Sequence, residues 1–145
     1  MVVTPYFIPD EALIMAWRIA CKRGVRLTLL LPAQSNHRLA DWGRGRALRE
    51  LCAAGAEVYL FPRMVHAKAV IIDEALALCG SANLDGRSLF LNFEMMVMFY
   101  GRTESAWLAD WIMQRIARSA RYQAREPSWL RDVGEGMIRI VGFQL

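Results

Sequence analysis

Apolar and polar positions along the 145 residues change period in an order that predicts alternating strands and helices, then strands in succession. Val2-Val3-Thr4 reads as a short strand ended by Pro5, with Tyr6 to Pro9 as a loop. Asp10 is placed to cap a helix running to about Arg23, with Leu13, Ala16, Trp17 and Ala20 on one side and Gly24 as the stop. Arg26 to Leu31 predicts a strand closed by Pro32. A polar loop through Ser35 and Asn36 leads to a second helix over about Arg38 to Ala53, weakened by Gly43 and Gly45 and terminated by Gly55. Glu57 to Phe61 is the next strand. His66 to Ile72 and Leu76 to Cys79 form a hairpin turning at Asp73-Glu74. Leu89 to Tyr100 reads as one long strand. Thr103 then caps a helix carrying Trp107, Leu108, Trp111, Ile112 and Ile116. This order predicts an α/β fold, a mixed sheet flanked by helices in an α/β/α sandwich, over a single domain of residues 1–145.

Beyond Glu126 the pattern is interrupted. Trp129, Leu130, Val133, Met137, Ile138 and Val141 suit an amphipathic helix broken by Gly134 and Gly136, which either packs on protein or touches membrane. Composition narrows the class. A hydrophobic content of 55% with 22% charged residues excludes disorder, and no apolar run reaches the roughly 18 residues of a membrane span. Net charge is +4 with a pI near 9.3, which favours anionic partners such as acidic lipid or nucleic acid. Cys21, Cys52 and Cys79 are odd in number and set among apolar residues, and so read as buried reduced thiols.

The candidate chemistry lies between His66 and Glu94. His66 and Lys68, two apart at the start of an apolar run, share one strand face. One is a nucleophile and proton carrier, the other a fixed cation, and together they suit a phosphate ester. Of the 18 cationic residues only Lys22 and Lys68 are lysines, so a compact point charge beside His66 stands out among arginines. Asp73 falls on the opposite strand face, which points to a turn contact or an ion pair, for example with Arg87. Ser81 and Asn83 follow a glycine and offer neutral donors for phosphoryl oxygens. Asn92 and Glu94 share a face amid Phe90, Met96 and Met98. A carboxylate there needs a partner, and both the His66 imidazole and an arginine on the sheet rim would serve. No Cys/His pair has metal-ligand spacing, and P-loop, dinucleotide and G-x-S-x-G patterns are missing from the sequence. Tyr6, Phe7 and Trp42 read as core or rim packing.

His66-x-Lys68-x4-Asp73-x6-Gly80-Ser81-x-Asn83 resembles the HKD motif of the phospholipase D superfamily at every motif position. Thr4 to Glu11, Leu30-Leu31-Pro32 and Gly80 to Ser88 resemble the C-terminal half of bacterial cardiolipin synthases. The resemblance implies metal- and cofactor-independent phosphatidyl transfer through a phosphohistidine. His66 would be nucleophile or leaving-group acid, with Lys68, Ser81 and Asn83 on the phosphoryl oxygens. Asp73 belongs to the motif's catalytic set, and Glu94 would orient His66. The implied substrate is phosphatidylglycerol, at the cytoplasmic-facing surface of a bacterial cell membrane. The family uses two such motifs, and this chain carries one at 66–83. The expectation is therefore half of a two-motif enzyme, completed by a second HKD half or a homodimer partner. A homodimeric phosphodiesterase acting on nucleic acid and an inactive isolated half domain are the alternatives.

Overall fold

The computed structural model describes residues 1–129 and 133–135. Nine strands and four helices lie wholly within these residues. The strands are β1 (Val2–Val3), β2 (Phe7–Ile8), β3 (Thr28–Pro32), β4 (Glu57–Phe61), β5 (Ala69–Ile72), β6 (Leu76–Gly80), β7 (Leu84–Asp85), β8 (Met96–Phe99) and β9 (Ala120–Arg121). The helices are α1 (Glu11–Lys22), α2 (Arg38–Ala53), α3 (Gly86–Phe90) and α4 (Arg102–Ile116). Seven strands make one mixed sheet in the order β8-β6-β5-β1-β3-β4-β9, and β2 pairs with β7 in a small parallel ribbon. Strands β1, β3 and β4 run parallel, and β5, β6, β8 and β9 join antiparallel to their neighbours.

Side-chain alternation divides the core across this sheet. Leu29, Leu31 and Val58 point to one face and meet Phe7, Ile14, Ala47, Leu48 and Leu51, which belong largely to α1 and α2. Val3, Leu30, Phe61, Ile71 and Ala77 point to the other and close over Ile112 of α4. The result is the α/β/α sandwich that the pattern predicts. Local chemistry sets the helix ends. The Asp10 carboxylate accepts from the Leu13 amide at 2.8 Å, and Gly24 (φ +98°) and Gly55 (φ +106°) take the left-handed turns after α1 and α2.

Four expectations need correcting. The long strand over Leu89 to Tyr100 does not form, because Asp85 accepts from the Ser88 amide at 2.8 Å and caps the short helix α3. Only Met96–Phe99 remains extended as β8. The cap of α4 is Gly101, which makes no side-chain bond, and Thr103 lies inside the first turn. On that helix Ile112 is fully buried, but Trp107 is 69% exposed rather than part of the packed face. The three cysteines are free but half-buried, and burial pushes the Cys21 and Cys52 thiols up. Of the C-terminal residues singled out in the sequence, Trp129 and Val133 are exposed, whereas Leu130, Met137, Ile138 and Val141 lie outside the described residues. No helix among the described residues is long and apolar enough to cross a membrane.

Candidate active site

The parallel strands β1, β3 and β4 all end on one side of the sheet, and the start of β5, the end of β6 and the start of β8 meet them there. In open α/β sheets this carboxyl end is where ligands bind. His66 and Lys68 lie just before β5 rather than in the strand itself. The Gly80 amide donates to the Lys68 carbonyl at 3.1 Å, which ties this segment to the Gly80-Ser81 turn. A Cβ at Gly80 would come within 2.0 Å of the Met95 carbonyl oxygen, so the motif glycine permits a backbone approach that no other residue would.

The side chains of His66 and Lys68 touch. Lys68 Nζ stands 2.8 Å from His66 Nε2 and 3.2 Å from the His66 carbonyl oxygen. An ammonium can only donate, so this contact requires Nε2 to be the unprotonated, lone-pair nitrogen. Burial pushes the Lys68 ammonium down from its ordinary range, while the nearby Glu94 and Asp85 carboxylates oppose that shift. Glu94 lies between α3 and β8. It accepts from the Ser81 hydroxyl through Oε2 and from Asn92 Nδ2 at 3.3 Å through Oε1. Ser81 Oγ in turn accepts from the Met95 amide at 3.0 Å. The Ser81 hydroxyl foremost, then that of Ser88, hold the Glu94 carboxyl below its usual range; Asn92 and the Lys68 ammonium add to this, and burial opposes it.

The structure therefore gathers His66, Lys68, Ser81, Asn83 and Glu94 at one end of the sheet, but with different partners from those expected. No hydrogen bond joins Glu94 to His66; the carboxylate takes the Ser81 proton instead. The Ser81 hydroxyl has only one hydrogen, so a phosphoryl oxygen could receive it only at the expense of Glu94. Asn83 Oδ1 is buried without a partner. Asp73 is not in the cluster. It sits with Glu74 at the far tip of the β5–β6 hairpin, in the left-handed pair (φ +49° and +57°) of a type I′ turn closed by Ala75 N to Ile72 O at 3.2 Å. At about 3.3 Å per residue the strand keeps it roughly 16 Å from Lys68. It makes no ion pair with Arg87, and its charge acts on the Met1 amine instead.

The sequence reads Tyr6 as core or rim packing, but the residue borders the cluster. Tyr6 packs edge-on against both His66 (6.1 Å between ring centroids) and His37 (5.1 Å). Its hydroxyl donates to Asn36 Oδ1 at 2.5 Å. Because β2 occupies only two residues, the segment reads as a loop and gives no periodic signal. Two cavities flank the cluster. One, of about 320 Å³, lies beyond Tyr6 and Asn83 towards His37 and Arg38. The other, of about 340 Å³, is lined by His66 itself with Met64, Trp111, Arg63 and Arg115. Among the described residues no three His, Cys, Asp or Glu side chains group as metal ligands would.

Residues 1–116 match the family described as cardiolipin synthase, phospholipase D-like domain. The major cardiolipin synthase of Bacillus subtilis is 33% identical over 97% of this chain, and cardiolipin synthase A of Citrobacter koseri is 35% identical over 90%. The chain spans only 30% and 28% of the length of these two proteins. Among solved structures, the phospholipase D family member Nuc from Salmonella typhimurium superposes with a TM-score of 0.73 at 18% identity, covering 84% of this chain and 80% of its own. Phosphatidylserine synthase from Haemophilus influenzae also gives 0.73, at 15% identity, covering 99% of this chain and 41% of its own. At these identities the likeness is one of fold.

Proposed function

The chain belongs to the cardiolipin synthase branch of the phospholipase D-like family, and from that premise we propose that it supplies one His-Lys half-site of a metal-independent phosphatidyltransferase. The observation that carries this reading is the 2.8 Å contact between Lys68 Nζ and His66 Nε2. It keeps a lone pair on the nitrogen that would attack phosphorus. An arriving phosphodiester anion offers the ammonium a stronger, charge-assisted partner than a neutral imidazole does. Lys68 would then move to a non-bridging oxygen and release Nε2. Negative charge building on those oxygens in the transition state would meet a cation already in place. Asn83 would contribute a second contact by donating from its side-chain Nδ2. Glu94, held ionised by Ser81 and Asn92, would keep Lys68 charged and aimed. Asp73 acts through its turn, by fixing the hairpin that carries Lys68 and Ser81.

One imidazole cannot both attack phosphorus and protonate a leaving group on its opposite side. A second HKD-bearing half is required, and in a solution of this chain that half is a second copy. The surface around Glu94 suits such a partner. Phe90, Leu91, Phe93 and Met95 all project into solvent beside it, with Phe93 fully exposed, and among the described residues β8 is an edge strand of the sheet. The donor would be phosphatidylglycerol, reached by peripheral contact with the membrane, and a second phosphatidylglycerol the acceptor, giving cardiolipin and glycerol. Incubation of the chain with phosphatidylglycerol vesicles in EDTA tests this directly. Formation of cardiolipin and glycerol is the expected result. Nicking of plasmid DNA without lipid turnover would instead assign a nuclease, and no reaction with either would leave an inactive half domain.

A further inference from the structure

The cavity beyond Asn83 holds two cations for which nothing above accounts. Arg38, on the first turn of α2, and Arg87, on α3, both line it, and among the described residues neither guanidinium makes a hydrogen bond or ion pair. His37 stands between Arg38 and Tyr6 and presents its ring edge-on to Tyr6, whose other neighbour is His66. Asn83 belongs both to the His66 cluster and to this cavity, and its buried Oδ1 has no partner. The cavity's volume of about 320 Å³ is at the small end of ligand pockets, enough for a polar headgroup and too small for acyl chains. Phosphate esters are commonly held by arginine forks, and a polyol needs neutral acceptors and donors such as Asn36 and Asn83.

We propose that this cavity, with Arg38, Arg87 and His37, binds the glycerol-phosphate head of the acceptor lipid and sets its free hydroxyl towards the phosphorus held at His66. The assignment rests on the transferase reading for its role, but the binding site itself does not. It also gives a reason for selectivity. An acceptor bearing its own phosphate would be favoured over water or a simple alcohol, because only the former engages both guanidinium groups. Arg38, Arg87 and His37 are specificity residues in this account. They touch the acceptor and leave the attack by His66 alone.

The chain has two histidines, so imidazole ring resonances report the cavity and the reactive centre separately. Assignment follows from a His66→Ala variant. Titration of the chain with sn-glycerol 1-phosphate should move the His37 ring signals saturably, in the wild type and in His66→Ala alike. Arg38→Ala/Arg87→Ala should weaken that binding at least tenfold. Both arginines are exposed or at a helix start, and an unchanged melting temperature verifies the fold. Glycerol alone should not bind, and inorganic phosphate should bind at least tenfold more weakly than the ester. In lipid turnover the double variant should raise the KM for phosphatidylglycerol and shift product from cardiolipin towards phosphatidic acid. Shifts confined to His66, or affinity unchanged in the double variant, would overturn the proposal. Equal binding of phosphate and ester would also overturn it, by showing a simple anion site. If the cavity binds the ester as described while the wild-type chain forms no cardiolipin from phosphatidylglycerol, the transferase reading fails and the binding site stands.

Discussion

Replacing Lys68 by methionine keeps the length of the side chain and removes its charge. In the structure this deletes the 2.8 Å ammonium contact to His66 Nε2 and the cation that faces Glu94. Loss of one preorganised donor at a site of developing negative charge costs about 10²–10³ in turnover, or about 2.7–4 kcal/mol. Lys68→Met should therefore form cardiolipin from phosphatidylglycerol at least about 100-fold more slowly than wild type. Stability should move the other way. Burial lowers the Lys68 pKa, so folding disfavours its charged form; that penalty is present at neutral pH and fades only as pH rises past the folded pKa. The variant escapes the penalty, and its melting temperature should equal or slightly exceed that of wild type. Lys68→Arg keeps the charge but spreads it over a planar fork, and should still lose roughly tenfold or more. Initial rates with vesicles in EDTA, beside thermal melts of each variant, measure both quantities. A Lys68→Met protein retaining a third of the wild-type rate would refute the reasoning. A loss of rate that simply follows a loss of fold would refute it equally.

Three other perturbations probe separate parts of the account. Ser81→Ala removes the largest influence holding the Glu94 carboxyl low, so the acid limb of the pH–rate profile should move to higher pH, with the rate at pH 7 reduced less than in Lys68→Met; an unmoved limb would separate Ser81 from Glu94. The sign follows from the lowered pKa, since the ionised state persists as pH falls through the ordinary glutamate range and is lost only below it. Ile112→Ala opens a cavity among Val3, Leu30, Phe61 and Ile71 and should cost about 3 kcal/mol, roughly 10 °C in melting temperature, whereas the exposed Trp107→Ala should stay within about 0.5 kcal/mol. Phe93→Asp with Met95→Asp should yield monomers in sedimentation and abolish turnover without altering circular dichroism; an active monomer would remove the need for a second half.

Where glycine, proline or a capping carboxylate punctuated the chain, the fold could be read from the residues. The strand Glu57–Phe61 and the helix Arg38–Ala53 have the bounds that Gly55 and the flanking prolines suggest. Short pairings were hidden, because the two-residue strands β2, β7 and β9 carry no periodicity and depend on distant partners. The apolar run from Leu89 to Tyr100 misled for a different reason. Its hydrophobicity reflects an exposed surface beside Glu94, not a buried strand, and Asp85 captures its first turn as helix. For the candidate site, motif spacing points to His66, Lys68, Ser81 and Asn83, and sheet pairing brings them to one end of the sheet because it joins the two ends of a hairpin. It could not choose the partner of Glu94. That depends on the register of β8 against β6, which puts Met95 opposite Ser81 and brings the carboxylate to the hydroxyl.

The most direct trial of the whole account is the turnover of phosphatidylglycerol by a His66→Asn variant, measured in EDTA at matched protein concentration and matched melting temperature. Whether His66 attacks phosphorus or protonates the leaving alkoxide, an amide can do neither, and the rate should fall at least 1,000-fold, on the order of general acid–base and nucleophilic contributions combined. A His66→Asn protein that makes cardiolipin within threefold of the wild-type rate would contradict it.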